Sequence, residues 1–281
     1  MIPPVMPSRA ERVLSEAKEL LLLPWSGLLV DNKQILHFVQ DDKIQRMEQL
    51  TLELATQEPP TFTNFVAGSN REVVATLRGV ASGVLPETGL VLWGASGAGK
   101  THLLRAAVAA AANVGRPSRY LSEPASTEAT AFAPAALICV DAVDAADADS
   151  QGRLFTLYNA LAASRGQLIV AAGVAPARLA LRDDLRTRLA HGLVYEIVPL
   201  ADTDKARALG AYARERGFQL STEAIDYLLA HGRRDMATLV ATLAALDRHS
   251  LATKRPITVA LLREWMRRQT QSGAARSDVI P

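Results

Sequence analysis

The sequence predicts an α/β fold with a parallel sheet wrapped by helices, followed by a small all-helical subdomain. Three observations carry this. Between residues 62 and 200, short apolar runs alternate with helical stretches, the pattern of strands buried on both faces and joined by crossover helices. Across 201–270 every periodic stretch is helical. Alanine is abundant and aromatics make up only 5% of the chain, which favours helices over a β-sandwich. A length of 281 residues suits one core domain with an appendage.

Residues 1–46 hold a proline-rich start, a short apolar run and a polar stretch at 31–43, with no sustained period. Translation is expected to start naturally at Met47, which makes 1–46 a non-native extension; the alternative is a genuine but disordered extension. Residues 47–61 form an expected flexible tail, set off by Pro59-Pro60. The first strand is expected at 90–93, a glycine-rich turn at 94–99 and an alanine-rich helix at 100–113. Further strands follow at 118–122, 137–140, 168–172 and 193–198, the last stopped by Pro199. A helix at 152–164 carries Leu154, Leu157, Tyr158 and Leu161 at helical spacing. Four helices then follow at 202–216, 222–231, 235–250 and 258–268. Gly217 ends the first and Ser221 N-caps the second. Residues 271–281 are expected to be a disordered tail.

Charge and cysteine content remove several classes. A formal net charge of +2 lacks the basic excess of a sequence-independent nucleic-acid binder. The single cysteine, Cys139, sits in an apolar run and reads as a buried thiol, so no intrachain disulfide framework is available. The longest apolar stretch, 20–30, is broken by Pro24, Ser26 and Gly27 and is too short to span a bilayer. Glu11, Glu16 and Glu19 lie where a secretory signal needs basic residues. A soluble cytoplasmic protein without membrane contact is expected. No metal-ligand cluster and no Ser/His/Asp triad is found, and His191, His231 and His249 read as surface or packing residues.

The glycine-rich turn carries the chemistry. Gly94-Ala95-Ser96-Gly97-Ala98-Gly99-Lys100-Thr101 matches the full P-loop pattern, follows an apolar strand and opens a helix. Gly94, Gly97 and Gly99 let backbone N–H groups converge on phosphate oxygens, and the helix start adds its positive end. Lys100 brings charge to the β- and γ-phosphates, and Thr101 can offer its hydroxyl to Mg²⁺. The run Leu137-Ile138-Cys139-Val140-Asp141 is an apolar strand ending in an acid, with Asp141 placed to hold Mg²⁺ through water. ADP or ATP with Mg²⁺ is the expected ligand, and His102, next along the helix, is counted with the nucleotide-binding residues.

These residues, in this order and spacing, resemble the AAA+ module of the DnaA-related family, closest to its Hda branch of DnaA inactivators. The resemblance covers roughly 47–268. Thr61-Phe62-Thr63-Asn64-Phe65, with Gly68 and Asn70, is similar to the family segment that lies against adenine, so Phe62 and Phe65 are implied base contacts. Asp141 with Ala142-Val143-Asp144 resembles its Walker B strand, and Phe155-Thr156-Leu157-Tyr158-Asn159 the helix that follows. The run 184–189 resembles the motif carrying the arginine finger, which implies that Arg188 acts in trans on a partner's ATP. Arg234-Asp235-Met236 resembles the sensor 2 motif, with Arg234 reaching from the lid to the phosphates. Gln49-Leu50-Thr51-Leu52-Glu53-Leu54 resembles the peptide that binds the β sliding clamp of DNA polymerase III, with Leu52 and Leu54 entering an apolar pocket and Gln49 at its rim.

The sequence also departs from the family pattern. Ala142 stands where an acid usually follows the Walker B aspartate, and Gly173-Val174 where strand 168–172 should end in a polar sensor 1 residue. Tight nucleotide binding with weak or no autonomous ATPase is expected. The chain ends about ten residues past the last expected helix, so no DNA-reading domain and no direct sequence-specific DNA binding are expected. The resemblance implies a replication-initiation regulator that docks on the clamp and stimulates hydrolysis of DnaA-bound ATP. The alternatives are a DnaA-like helicase loader or a localisation adaptor, and a homodimer is left open.

Overall fold

The computed structural model describes residues 59–126, 132–233 and 235–277, with side chains through 268. The expected clamp-binding residues Gln49, Leu50, Leu52 and Leu54, the 1–46 extension and Arg234 lie outside the described residues.

Five parallel strands form one sheet: β1 (Gly89–Trp93), β2 (Ser118–Leu121), β3 (Leu137–Val140), β4 (Gln167–Ala172) and β5 (Leu193–Glu196), in the order β2-β3-β4-β1-β5. β1, between β4 and the edge strand β5, pairs Val91 with Val170 of β4 on one side and with Val194 of β5 on the other. Helices α1 (Arg71–Ala81) and α2 (Lys100–Asn113) share a core with Leu90, Leu92, Leu137, Cys139, Ile169 and Ala171. The alternate residues Val91, Ile138, Val140, Leu168, Val170 and Ala172 pack with α3 (Ala148–Ala163) and α4 (Asp183–Ala190). Successive strand side chains point to opposite faces, so continuous apolar runs are required where both faces are covered. The expected parallel sheet covered on both faces is what forms.

The strand expected at 193–198 ends at Glu196. Beyond it, Ile197 N–H still bonds the Trp93 carbonyl at 2.7 Å. Val198 instead meets the Asn70 side chain: its N–H donates to Asn70 Oδ1 and its carbonyl accepts from Asn70 Nδ2, each at 2.9 Å. One buried amide replaces the neighbouring strand.

Helices α5 (Asp202–Glu215), α6 (Thr222–His231), α7 (Met236–Thr253) and α8 (Val259–Ser277) build the helical subdomain around Leu209, Leu228, Leu239, Leu243, Leu246 and Leu262. Gly217, at φ +79°, follows α5, and Ser221 caps α6 by accepting the Ala224 N–H, as their residue types predict. Asp235 caps α7 by accepting the Thr238 N–H at 2.8 Å. No helix among the described residues is long and apolar enough to cross a membrane.

Candidate functional site

The site lies at the carboxyl ends of β1, β3 and β4, the crevice where open α/β sheets place their ligands. β1 runs into the 94–99 turn, which delivers the chain to the N-terminus of α2. Gly94 has φ +149° and an added Cβ would lie 2.6 Å from the Ile197 carbonyl oxygen. Gly99 has φ +102° and an added Cβ would meet the Phe65 ring at 2.7 Å. Only glycine meets both demands, a left-handed backbone and no room for a side chain.

Lys100 folds over this turn, its Nζ donating to the carbonyls of Gly94 (2.7 Å) and Ala95 (2.9 Å). Desolvation lowers the Lys100 pKa from its usual value, opposed by the charges of Asp141 and Asp144. Thr101 donates its hydroxyl to Asp141 Oδ2 at 2.6 Å, and the Tyr120 hydroxyl donates to the same oxygen at 3.1 Å. Asp141 Oδ1 accepts the Ala142 N–H at 2.9 Å. A carboxylate, two hydroxyls and an ammonium thus converge where the turn exposes its backbone amides. The hard oxygen donors Thr101 and Asp141 fit the class of ligand that Mg²⁺ takes.

Residues 61–70 back the turn. Phe62 is buried in the core beside α1, and Phe65 packs on Gly99 and lies 5.4 Å from the His102 ring, centroid to centroid. His102 Nε2 bonds the Thr61 carbonyl at 2.9 Å, and burial pushes its pKa below 6.5, opposed by that carbonyl. His102 is therefore a brace for the 61–65 segment. On the opposite side an added Cβ at Gly97 would lie 3.2 Å from the Asp235 Cβ, so the α7 cap abuts the turn. Burial raises the Asp235 pKa, but its bonds to Thr238 and the charge of Arg233 prevail and hold it below the usual carboxylate value.

The two departures sit together. Ala142 adopts a left-handed conformation, φ 51°, and starts the short 3₁₀ turn Val143–Ala145. That turn carries Asp144, whose Oδ1 accepts the Gly173 N–H at 3.2 Å. The end of β4 thus offers an acid borrowed from the neighbouring turn in place of a polar side chain of its own.

Arg188 belongs to a separate cluster on α4. Its Nε donates to Asn159 Oδ1 at 3.1 Å and its Nη1 to the Asp184 carbonyl at 3.4 Å, while the guanidinium carbon lies 4.3 Å from the centre of the Phe155 ring. Tyr120 was not legible as a site residue. It is one aromatic on an edge strand and has no motif.

This arrangement, a P-loop on a five-stranded parallel sheet with a helical lid over its apex, defines an AAA+ nucleotide-binding fold. The lid, residues 202–266, matches the family model described as "Hda, lid domain". The lid segment is thus similar to that of the Hda branch, and the fold as a whole is similar to that of DnaA-related AAA+ proteins. Similar solved structures include replication initiator DnaA bound to AMPPCP and single-stranded DNA, at 23% identity and TM-score 0.58, covering 67% of this chain and 64% of that one. Against that initiator, the present chain spans slightly under two thirds of its length. AMPPCP-bound DnaA from Aquifex aeolicus matches at 21% identity and TM-score 0.61, covering 75% of this chain and 70% of that one. Domain III of Thermotoga maritima DnaA matches at 18% identity and TM-score 0.60, covering 72% and 93% respectively.

Proposed function

We propose that this protein binds ADP or ATP with Mg²⁺ at its own P-loop and regulates replication initiation by stimulating hydrolysis of ATP held by a bound DnaA, with Arg188 acting in trans. The observation that carries this reading is the guanidinium of Arg188, separate from the chain's own P-loop and braced by Asn159, Asp184 and Phe155. A guanidinium held in a fixed orientation loses little entropy when charge builds on a transferring phosphate, and such a group can accelerate hydrolysis by about 10³ to 10⁵. Lys100 would hold the phosphates of the chain's own nucleotide, Thr101 and Asp141 its Mg²⁺, Phe62 and Phe65 the base side and Arg234 the lid side. Mg²⁺ supplies charge neutralisation to the bound phosphates.

Weak autonomous turnover follows from the same geometry. No acid follows Asp141 directly, and Asp144 is already engaged by the Gly173 amide. Docking on the β sliding clamp through Gln49, Leu50, Leu52 and Leu54 completes the proposal on sequence grounds, with DNA reached through the clamp.

The test is phosphate release from ATP-loaded DnaA with this protein and DNA-loaded clamp, omitting each in turn. Arg188→Ala should abolish stimulation while leaving nucleotide affinity intact, and Gln49→Ala/Leu52→Ala/Leu54→Ala should remove the clamp dependence. No stimulation by folded, nucleotide-bound wild type would sink the reading in favour of a helicase loader or localisation adaptor.

A further inference from the structure

Gln151 lies in the first turn of α3, is 8% exposed, and spends its whole side-chain amide on backbone groups of two other segments. Its Nε2 donates to the Ala146 carbonyl at 2.9 Å and to the Ala180 carbonyl at 3.2 Å. Its Oε1 accepts the Arg182 N–H at 2.8 Å. Two carbonyls and one N–H fix the amide in a single orientation, since the reverse would set the oxygen against both carbonyls.

The joined segments matter. Ala146 closes the short turn that begins at Asp141, whose internal bonds run from Ala145 N–H to the Ala142 carbonyl and from Ala146 N–H to the Val143 carbonyl. Asp141 in turn holds Thr101 of the P-loop. Arg182 is the N-cap of α4, the helix that carries Arg188. A continuous bonded path therefore runs from Thr101 through Asp141, the turn and Gln151 to the base of α4.

We infer that Gln151 is a positioning residue that ties the orientation of α4, and so of Arg188, to the state of the chain's own P-loop. This inference rests on the trans-acting role of Arg188. A buried amide serves this purpose because any shift of the Ala146 turn leaves it with an unmet donor or drags the 180–182 backbone along, and unmet buried polar groups are costly.

The experiment compares wild type, Gln151→Leu and Gln151→Glu in the DnaA phosphate-release assay, beside direct titration of ADP and with Arg188→Ala as the reference for lost stimulation. Leucine keeps much of the bulk in an apolar side chain and removes all three bonds. Glutamate keeps the acceptor for Arg182 and loses both donors. A misplacement of about 1 Å can cost on the order of a hundredfold in rate. The expected result is a maximal stimulated rate at least about tenfold lower, with half-saturating protein concentration and ADP affinity within about twofold of wild type. Undiminished stimulation by folded Gln151→Leu would overturn the inference.

Amide hydrogen exchange on the wild type provides an arm independent of how the variants fold. Adding ADP with Mg²⁺ should slow exchange at Arg182 and along Asp183–Ala190, and unchanged exchange there would equally overturn the coupling. If Arg188→Ala stimulates as well as wild type, the trans-acting role itself fails, and exchange compared between wild type and Gln151→Leu still decides whether Gln151 links the P-loop to α4.

Discussion

Gly99, Phe65 and His102 make a three-part brace in which each residue fixes the next. The ring of Phe65 fills the space a Gly99 side chain would take, and His102 anchors the carbonyl of Thr61 behind it. Gly99→Ala should therefore fail twice, through backbone strain and through displacement of Phe65. Equilibrium titration should show ADP affinity falling by at least about tenfold, the response of a binding turn forced out of shape. The His102 shift has a definite sign. Because burial depresses its folded pKa below 6.5, the unfolded chain binds the proton more readily. Its contribution is fully present above pH 6.5 and is lost as pH falls from there towards the folded value. Thermal melts from pH 7.5 to 5 should fall less steeply for His102→Gln than for wild type, and identical slopes would contradict this. Cys139 is fully buried and its thiol is pushed well above the usual range by desolvation, so it should resist a thiol reagent until the chain unfolds. The glycines, Lys100, Thr101 and Asp141 were legible because phosphate chemistry fixes residue types at fixed spacing. Tyr120 was not, because its role depends only on the pairing of β2 with β3 that sets Tyr120 opposite Cys139.

At the scale of elements, burial on both faces made the strands readable, and 137–140 was placed to the residue. Helix ends were less readable. α3 begins at Ala148, where Asp147 caps it by accepting the Ser150 N–H, four residues before the expected start. Gly152 pulled the predicted boundary inward, although a helical glycine is tolerated at a cost of about 1 kcal/mol. α1 carries no clear helical signal in the sequence although Val73, Val74, Leu77, Val80 and Ala81 lie on one buried face. Its valines read as readily for a strand, and its first residue follows an asparagine whose side chain is spent on Val198 and does not cap the helix. The lid has the most regular core. Leu243 on α7 is fully buried among leucines from α5, α6 and α8, so Leu243→Ala should cost about 2–5 kcal/mol of lid stability, read as a lower denaturant midpoint. If the midpoint held, the lid core would have to be loose enough to refill the cavity.

Across the whole molecule, a strip of backbone joins the sheet to the lid, beside the approach of the Asp235 cap to Gly97. Residues 197–200 pass between Gly94 on one side and Asn70 and Gly68 on the other, with Leu200 pressed on Gly68. Asn70→Ala would leave the Val198 N–H and carbonyl without their partner. A loss of about 1–3 kcal/mol is expected, with weaker coupling between nucleotide binding and lid closure, measured as a reduced melting-temperature rise on ADP addition. The order of domains, sheet first and lid second, could be read directly from periodicity. The strip could not, because its contacts join residues separated by 128 positions and carry no local pattern.

The strand order has a consequence during synthesis. β1 leaves the ribosome early, yet both its neighbours, β4 and β5, are encoded far downstream. At roughly 5–20 residues per second, the apolar run Gly89–Trp93 waits several seconds before Gln167–Ala172 exists to pair with it. The segment that ends in the phosphate-binding turn is therefore the one whose edges stay open longest in the nascent chain, and slowing translation between β1 and β4 should lengthen that exposure and lower the soluble yield.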